Sequence, residues 1–190
     1  MKVISLLQPW ATLAVIGAKK IETRSWNTKY RGEILIHASK KLTKQQILLG
    51  QNFNSKFGVG LGFVDSLPTG AIIGKVNVID TFQFDEQTKD SLIYYYDHEN
   101  KIGWELNEQE LTFGDYSPGR YGWLVSDPVQ FAIPIPAKGK RSIWEYDMPD
   151  HFHVPIPGGG HATFPSPPNQ DTLDAINMLV EIGKKIKNNE

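Results

Sequence analysis

The sequence predicts a mainly β protein with peripheral helices, an α+β arrangement. Short runs of apolar or alternating residues recur along residues 1–147 with little helix between them, which favours a small β-barrel over a parallel α/β sheet. The long amphipathic pattern lies near the C-terminal end, where 171–187 carries apolar residues at helical spacing. A chain of 190 residues therefore fits one domain with an appendage.

The strands are predicted from apolar or alternating runs bounded by turn residues. They cover, in order, residues 3–7, 21–26, 32–39, 70–82, 120–126, 129–135 and 142–146. A turn at Asp127-Pro128 is expected to join the fifth strand to the sixth, and Gly74 to mark a bulge or a close approach in the fourth. Helices are predicted over 10–16, after Thr43 through Leu49, and near 91–96.

The domain boundary is predicted near residue 147. Two polar or glycine-containing segments, 41–69 and 85–118, interrupt the strand pattern as insertions. Residues 148–168 hold six prolines and three consecutive glycines, which predicts an extended linker, and the amphipathic helix follows it. That helix packs back on the barrel or meets a protein partner.

Composition excludes several classes of function. The chain has no cysteine, which excludes disulfides, thiolate zinc sites and a cysteine nucleophile, and fits a cytoplasmic protein. Gln8-Pro9-Trp10 interrupts the apolar N-terminal run, and no other stretch predicts a membrane span. The net charge of −1 means that any nucleic-acid surface is a local patch.

The segment from Ile21 to Trp26 concentrates functional groups on one face of a strand. Alternation places Glu22, Arg24 and Trp26 together, and Lys19 precedes them, just after the predicted helix cap. Arginine offers a planar fork for phosphate or carboxylate, and a desolvated lysine can act as a base. A structural ion-pair cluster is the alternative interpretation.

Basic and aromatic side chains supply further candidate contacts to nucleic acid. Trp26 and Tyr30 offer rings on which bases can stack, whereas Trp10 and Trp144 are expected in the core. The candidate phosphate contacts are Arg31, Lys40, Lys41, Lys44, Lys138, Lys140 and Arg141. A solvated charged face is an equally good interpretation of these cations. His37 is expected to be a satisfied residue of the barrel, and a position facing the cleft is the alternative.

Several motifs in register resemble the ASCH family, the activating signal cointegrator homology domain. They are L-x-Q-P-W-A, G-x-K-x-x-E-x-R-S-W and R-G-x-x-x-I-x-A near the start, then P-T-G-A-I-I-G-K-V-N-V-I-D and P-A-K-G-K-R-S-I-W-E-Y-D. The resemblance covers about residues 3–147. It implies a PUA-like β-barrel that binds RNA, single-stranded nucleic acid or a nucleotide in a cleft between the first helix and the strand with the K-x-x-E-x-R motif.

The resemblance also implies an enzymatic alternative. Some small bacterial relatives are amidohydrolases of acylated cytidine, with a lysine and a threonine in G-x-K-x-x-T-x-R and a glutamate from elsewhere. Lys19 matches the lysine, but Glu22 stands in place of the threonine, so the reaction would need Glu22 to activate water. The distal glutamate stays open among Asp85, Glu86 and Glu108.

Three hypotheses follow, and none needs a cofactor or a metal. The first is an RNA- or nucleotide-binding module, the second a hydrolase of a modified nucleoside or RNA, and the third a protein-interaction module using the C-terminal helix. His151, His153 and His161 favour a zinc site only weakly, because no carboxylate pattern accompanies them.

Overall fold

The computed structural model describes residues 1–84, 94–97, 102–157 and 159–187. Its strands are β1 (Lys2–Leu6), β2 (Ile21–Arg24), β3 (Gly32–Ala38), β4 (Ala71–Gln83), β5 (Tyr94–Asp97), β6 (Ile102–Glu105), β7 (Tyr121–Pro136), β8 (Ile143–Glu145), β9 (Phe152–Pro155) and β10 (His161–Phe164). Its helices are α1 (Trp10–Val15), α2 (Lys44–Phe57), α3 (Glu108–Phe113) and α4 (Gln170–Lys187), with a 3-10 turn at Val64–Ser66.

A six-stranded mixed sheet in the order β2-β7-β4-β3-β1-β8 forms the body of the protein. Strands β1 and β3 pair in parallel, and the other neighbours in this sheet are antiparallel. The prediction of a mainly β fold with helices is confirmed. The sheet is not a closed barrel, because among the described residues its edge strands β2 and β8 do not pair with each other.

Both faces of the central strands are buried, and the alternating side chains of these strands enter two different cores. On β3, Ile34 and Ile36 point into one core with α1 and Trp123, whereas Leu35 joins a second core with Trp144. Helix α1 covers the first core and approaches the backbone closely at Gly74, where a Cβ would lie 2.7 Å from Val15 Cγ1. The expected bulge at Gly74 is confirmed by a shift in register between β3 and β4.

The two strands predicted on either side of Asp127-Pro128 are one strand, β7. Both of its halves pair with β4, since Val125 lies opposite Val78 and Val129 lies opposite Lys75. Asp127 adopts a φ of 48°, so the chain bulges instead of reversing. Proline is tolerated here because β2 pairs with β7 only as far as Leu124, so no strand of the described residues pairs with the other edge of β7 beside Pro128.

Helix α2 is longer than predicted. It begins as expected after Thr43, whose hydroxyl and the side chain of Gln46 form a reciprocal capping box. It continues to Phe57 and ends at Gly58 in the left-handed conformation. The helix predicted near 91–96 is wrong where the structure describes it, because Tyr94–Asp97 is strand β5; residues 91–93 lie outside the described part of the chain.

The tail after residue 147 contains a β-hairpin as well as a helix. Strands β9 and β10 pair antiparallel within the segment expected to be an extended linker. A hydrogen bond from the Ala132 amide to the Pro168 carbonyl fastens the tail to β7, and the predicted helix follows as α4. No helix in the described ranges has the length and apolar character needed to cross a bilayer.

Candidate functional site

Lys19 lies inside the protein and not on its surface. Its side chain is 1 % exposed, and its amine donates a hydrogen bond of 2.5 Å to the Ile21 carbonyl. Burial lowers the pKa of Lys19, and this effect outweighs the neighbouring carboxylates of Glu22 and Glu110, which raise it. Lys19 and Glu22 border an enclosed cavity of about 10 Å³ among core side chains, too small for a nucleoside.

The partner of Lys19 is Glu110, a residue that the sequence did not single out. Its carboxylate lies 3.7 Å from the Lys19 amine and accepts hydrogen bonds from the backbone amides of Lys20 and Ile21. It also accepts a bond of 3.3 Å from the Tyr116 hydroxyl. Burial, together with Glu110 and Glu22, raises the pKa of Tyr116 and keeps it protonated. Glu110 therefore ties α3 to the start of β2.

Glu22 and Arg24 share one face of β2, as the alternation predicts. Their side chains are 15 % and 22 % exposed, and Arg24 Nε lies 3.1 Å from Glu22 Oε1. This contact is an ion pair without hydrogen-bond geometry, because Nε is buried and has no hydrogen-bond partner within the described residues. Arg24 donates instead from Nη2 to the Ser5 carbonyl. Part of the guanidinium therefore makes no hydrogen bond with the described residues.

Glu22 and Arg24 line an open cleft of about 350 Å³, which is called the cleft below. One wall comes from the end of β1 and the start of α1, and it includes the half-buried ring of Trp10. The end of α3 and the loop after it also contribute to the lining. The complete lining is Ser5, Leu6, Leu7, Trp10, Glu22, Thr23, Arg24, Ser39, Thr112, Phe113, Gly114 and Asp115.

A second depression, called the basic groove below, adjoins the cleft and shares Ser5 and Ser39 with it. Its volume is about 1050 Å³, and its lining contains four cations and no carboxylate. These cations are all exposed, and within the described residues none of them forms an ion pair: Lys40, Lys138, Lys140 and Arg141. Lys140 also lies over the Trp144 ring, 5.5 Å from its centroid.

His37 supports the floor of the basic groove. Its ring is buried, and Nε2 lies 3.1 Å from the Ala137 carbonyl oxygen, so Nε2 carries the proton and donates it. Nδ1 has no partner among the described residues and lies under Gly139, where a Cβ would come within 2.8 Å of it. Burial lowers the pKa of His37. The loop that carries three of the four cations therefore rests on a neutral imidazole.

Other predicted contacts lie away from both depressions. Trp26 packs edge-on against Trp123 with ring centroids 4.7 Å apart, and Tyr30 donates from its hydroxyl to the Glu33 carbonyl. Arg31 is held by Asp80 at 2.6 Å. The further candidates Lys41 and Lys44 are exposed and line neither depression.

Trp10 and the carboxylate that contacts Lys19 also differ from the sequence interpretation. Trp10 is half-buried and lines the cleft, so its assignment to the core is wrong, whereas Trp144 is buried as expected. The sequence of α1 is apolar nearly all round, so it does not distinguish Trp10 at the helix start from Ala11–Val15, which are buried. The carboxylate that contacts Lys19 is Glu110, which was not among the candidates; Asp85 and Glu86 lie outside the described residues, and Glu108 pairs with Lys56.

The described residues contain no cluster of histidine and acidic side chains that could hold a metal ion. His153 is instead hydrogen-bonded, through Nδ1, to the Thr163 hydroxyl across the β9–β10 hairpin.

Comparisons with known proteins agree on one family. The family model of the ASCH domain matches residues 4–113. Activating signal cointegrator 1 from Mus musculus is 28 % identical and its Homo sapiens counterpart 29 % identical, each over an alignment of 153 residues that covers 78 % of this chain. The chain spans about a fifth of the length of these curated relatives, since the match covers 22 % of each.

Solved structures include a likeness to ASCH from Zymomonas mobilis. It covers 70 % of this chain and 71 % of that chain, with 18 % sequence identity and a TM-score of 0.39. A variant of the same protein aligns over 70 % of this chain and 73 % of that chain, with a TM-score of 0.38.

Proposed function

Because the chain belongs to the ASCH domain family, we propose that it is an RNA-binding domain that takes a base in the cleft and the flanking phosphates in the basic groove. The observation that carries the proposal is the contact between these two depressions at Ser5 and Ser39. A stacking surface beside a cationic surface is the arrangement that single-stranded nucleic acid requires.

The charge distribution supports phosphate binding in the groove. The lining of the groove contains four exposed cations, which form no ion pair within the described residues, and it contains no carboxylate. Arg31, by contrast, is engaged by Asp80, so it offers less to a ligand. Since the net charge of the chain is −1, this local patch would supply the salt-dependent part of the affinity.

The cleft supports binding of a base and not of a phosphate. Glu22 and Asp115 line it, and their carboxylates would repel a phosphate. Trp10 offers a ring for stacking, while Arg24 and Glu22 supply a donor and an acceptor side by side for the edge of a base. We therefore assign recognition of the base to Trp10, Glu22 and Arg24. Lys19 lies behind these residues, where its ammonium balances the charges of Glu22 and Glu110.

The remaining assignments are also proposals. Residues 1–147 form the ASCH unit with insertions at 41–69 and 85–118, and 148–190 form an appendage. The exposed apolar side chains Met178, Leu179 and Ile182 on α4 support a protein partner for that appendage. The absence of cysteine supports a cytoplasmic location.

One observation favours hydrolysis of a modified nucleoside or RNA as the second candidate. The lowered pKa of Lys19 beside two carboxylates is typical of groups in active sites. The Lys19 amine, however, borders the enclosed cavity and not the cleft, and the Ile21 carbonyl already accepts its hydrogen bond. Turnover of acylated cytidine by the wild-type protein that is lost in Lys19→Met would establish the hydrolase function. RNA binding without turnover would reject the hydrolase function.

The proposed function is tested by fluorescence anisotropy with a labelled single-stranded RNA. The groove variant Lys138→Gln/Lys140→Gln/Arg141→Gln should weaken binding by at least roughly tenfold at low salt, because it removes three phosphate contacts. The matched control is Lys2→Gln/Lys56→Gln/Lys184→Gln, which changes the net charge equally at positions outside the groove.

The slope of binding against salt gives a second readout. It should fall in the groove variant by roughly two units of log K per log salt, and stay near the wild-type slope in the control. Equal losses in the two triple variants would mean that overall charge, and not the groove, governs binding. An absence of wild-type binding at low ionic strength would reject the RNA-binding function.

A further inference from the structure

The border between the cleft and the basic groove is formed by two serines. Ser5 and Ser39 are the described residues that line both depressions. They stand at or beside the carboxyl ends of the neighbouring parallel strands β1 and β3, with Ser5 within β1 and Ser39 directly after β3. In a nucleotide the sugar connects the base to the phosphate. If the base occupies the cleft and the phosphates occupy the groove, the sugar must therefore cross this border.

The two serines differ in what their hydroxyls can still bind. The Ser5 hydroxyl donates to the Lys140 carbonyl at 3.1 Å and accepts from Trp144 Nε1 at 3.2 Å, so its donor is committed. The Ser39 backbone amide donates to the Leu6 carbonyl at 2.8 Å, but the Ser39 hydroxyl has no hydrogen bond within the described residues. Ser39 is half-buried, and its backbone bond to β1 holds it in place.

We propose that Ser39 recognises the ribose 2′-hydroxyl and makes the site selective for RNA over DNA. This inference rests on the proposed function, since it needs the base in the cleft and the phosphates in the groove. A serine hydroxyl can both donate and accept, and a 2′-hydroxyl can do the same, so the pair satisfies both groups. The 2′-hydroxyl is the group that distinguishes RNA from DNA at a given site.

The carboxylates near the border favour this assignment over a further phosphate contact. Glu22 and Asp115 line the cleft side, and the four cations line the groove side. A neutral, hydrogen-bonding part of the ligand fits between regions of opposite charge, and the ribose is such a part. The Ser39 hydroxyl, which needs a partner when a ligand displaces water, would otherwise stay unsatisfied.

The test compares labelled oligouridine with oligodeoxyuridine of the same length. These probes share bases and charge and differ in the 2′-hydroxyl. The wild-type protein should bind oligouridine roughly threefold to tenfold more tightly, the range expected for a hydrogen bond. Ser39→Ala should lower the affinity for oligouridine to that for oligodeoxyuridine and leave the latter unchanged. Ser39→Thr keeps a hydroxyl and should keep part of the preference.

Ser66→Ala is the matched control, because Ser66 is an exposed serine outside both depressions. It should leave both affinities unchanged. Equal binding of the two probes by the wild-type protein, or a preference for RNA that persists in Ser39→Ala, would overturn the inference while leaving the RNA-binding function intact. Failure of both probes to bind would instead reject the proposed function itself.

Discussion

Two charged regions of this protein lie beside the same sheet and differ in how their charges are satisfied. Around Lys19 the charges are buried and paired: Glu110 contacts the amine, and Glu110 also accepts from Tyr116 and from two backbone amides. In the basic groove the cations are exposed, and none is paired within the described residues. The lysine of the sequence motif is thus held in the interior by structural contacts, while the groove keeps its cations unpaired at the surface within the described residues.

The largest expected effect tests whether the cluster at Lys19 is structural. Glu110→Gln removes the carboxylate that compensates a lysine of 1 % exposure, so it should lower the free energy of unfolding by about 3 kcal/mol. Denaturant unfolding measures the change. Lys19→Met/Glu110→Gln should recover part of the loss, because the double variant leaves no unpaired ammonium in the core.

The groove variant of the RNA-binding experiment supplies the contrast in stability. Its three exposed positions should change the free energy of unfolding by less than roughly 0.5 kcal/mol. If Glu110→Gln proves equally mild, the buried cluster is not holding α3 to β2, and the distinction between the two regions fails.

The next largest effect separates Trp10, which lines the cleft, from Trp26, which does not. Trp10→Leu removes the ring that lines the cleft, so RNA affinity should fall by about 1–3 kcal/mol while the fold is kept. Trp26→Leu removes an edge-on partner of Trp123 and should mainly reduce stability, by about 1–2 kcal/mol. Anisotropy and denaturant melts on both variants check this; the reverse pattern would restore Trp26 as the stacking residue.

A smaller effect is expected for Glu22→Gln. The isosteric change removes the charge of Glu22 but leaves Arg24 bonded to the Ser5 carbonyl. The free energy of unfolding should therefore fall by no more than about 1 kcal/mol. In this variant the side chain at position 22 presents an amide to the cleft in place of a carboxylate. The relative affinities for the four RNA homopolymers should therefore change severalfold, while the slope of binding against salt stays unaltered. Unchanged base preference would show that the cleft does not read the base through Glu22.

The smallest effect concerns pH. Burial lowers the pKa of His37 below its ordinary value, so the unfolded chain takes up this proton more readily than the folded protein. The contribution of neutral His37 to stability is complete above about pH 6.5 and is lost as the pH falls from there. His37→Gln, which can still donate to the Ala137 carbonyl, should lose less stability between pH 7 and pH 5 than the wild type. Parallel pH profiles would contradict this.

Local pattern predicted much of the fold, because its signals lie in neighbouring residues. Alternation placed β2 and β3 within two residues of their observed ends, and the capping residue Thr43 marked the start of α2. The end of α2 was missed because it depends on Gly58 adopting the left-handed conformation. The bend in β7 was predicted as a turn, since only pairing with β4 shows that the strand continues through Asp127-Pro128.

The candidate site was harder to predict, because it depends on burial and on contacts between distant segments. The motif located Lys19, Glu22 and Arg24, yet alternation cannot tell that Lys19 faces the core. Glu110 joins this cluster from 91 residues further along the chain, in a segment without a distinguishing pattern. The basic groove likewise combines Lys40 with a loop about 100 residues later, and only the pairing of β3, β4 and β7 brings them together.

The parallel pairing of β1 and β3 has a consequence for how such a site can diversify. Because both strands run in the same direction, the segments that follow Leu6 and Ala38 leave the sheet at the same edge. The first segment leads to Trp10 and the cleft, and the second leads through Ser39 and Lys40 into the insertion that contains α2. Substitutions at the exposed positions after these two strands would therefore alter the lining of both depressions while the register of the sheet stays the same.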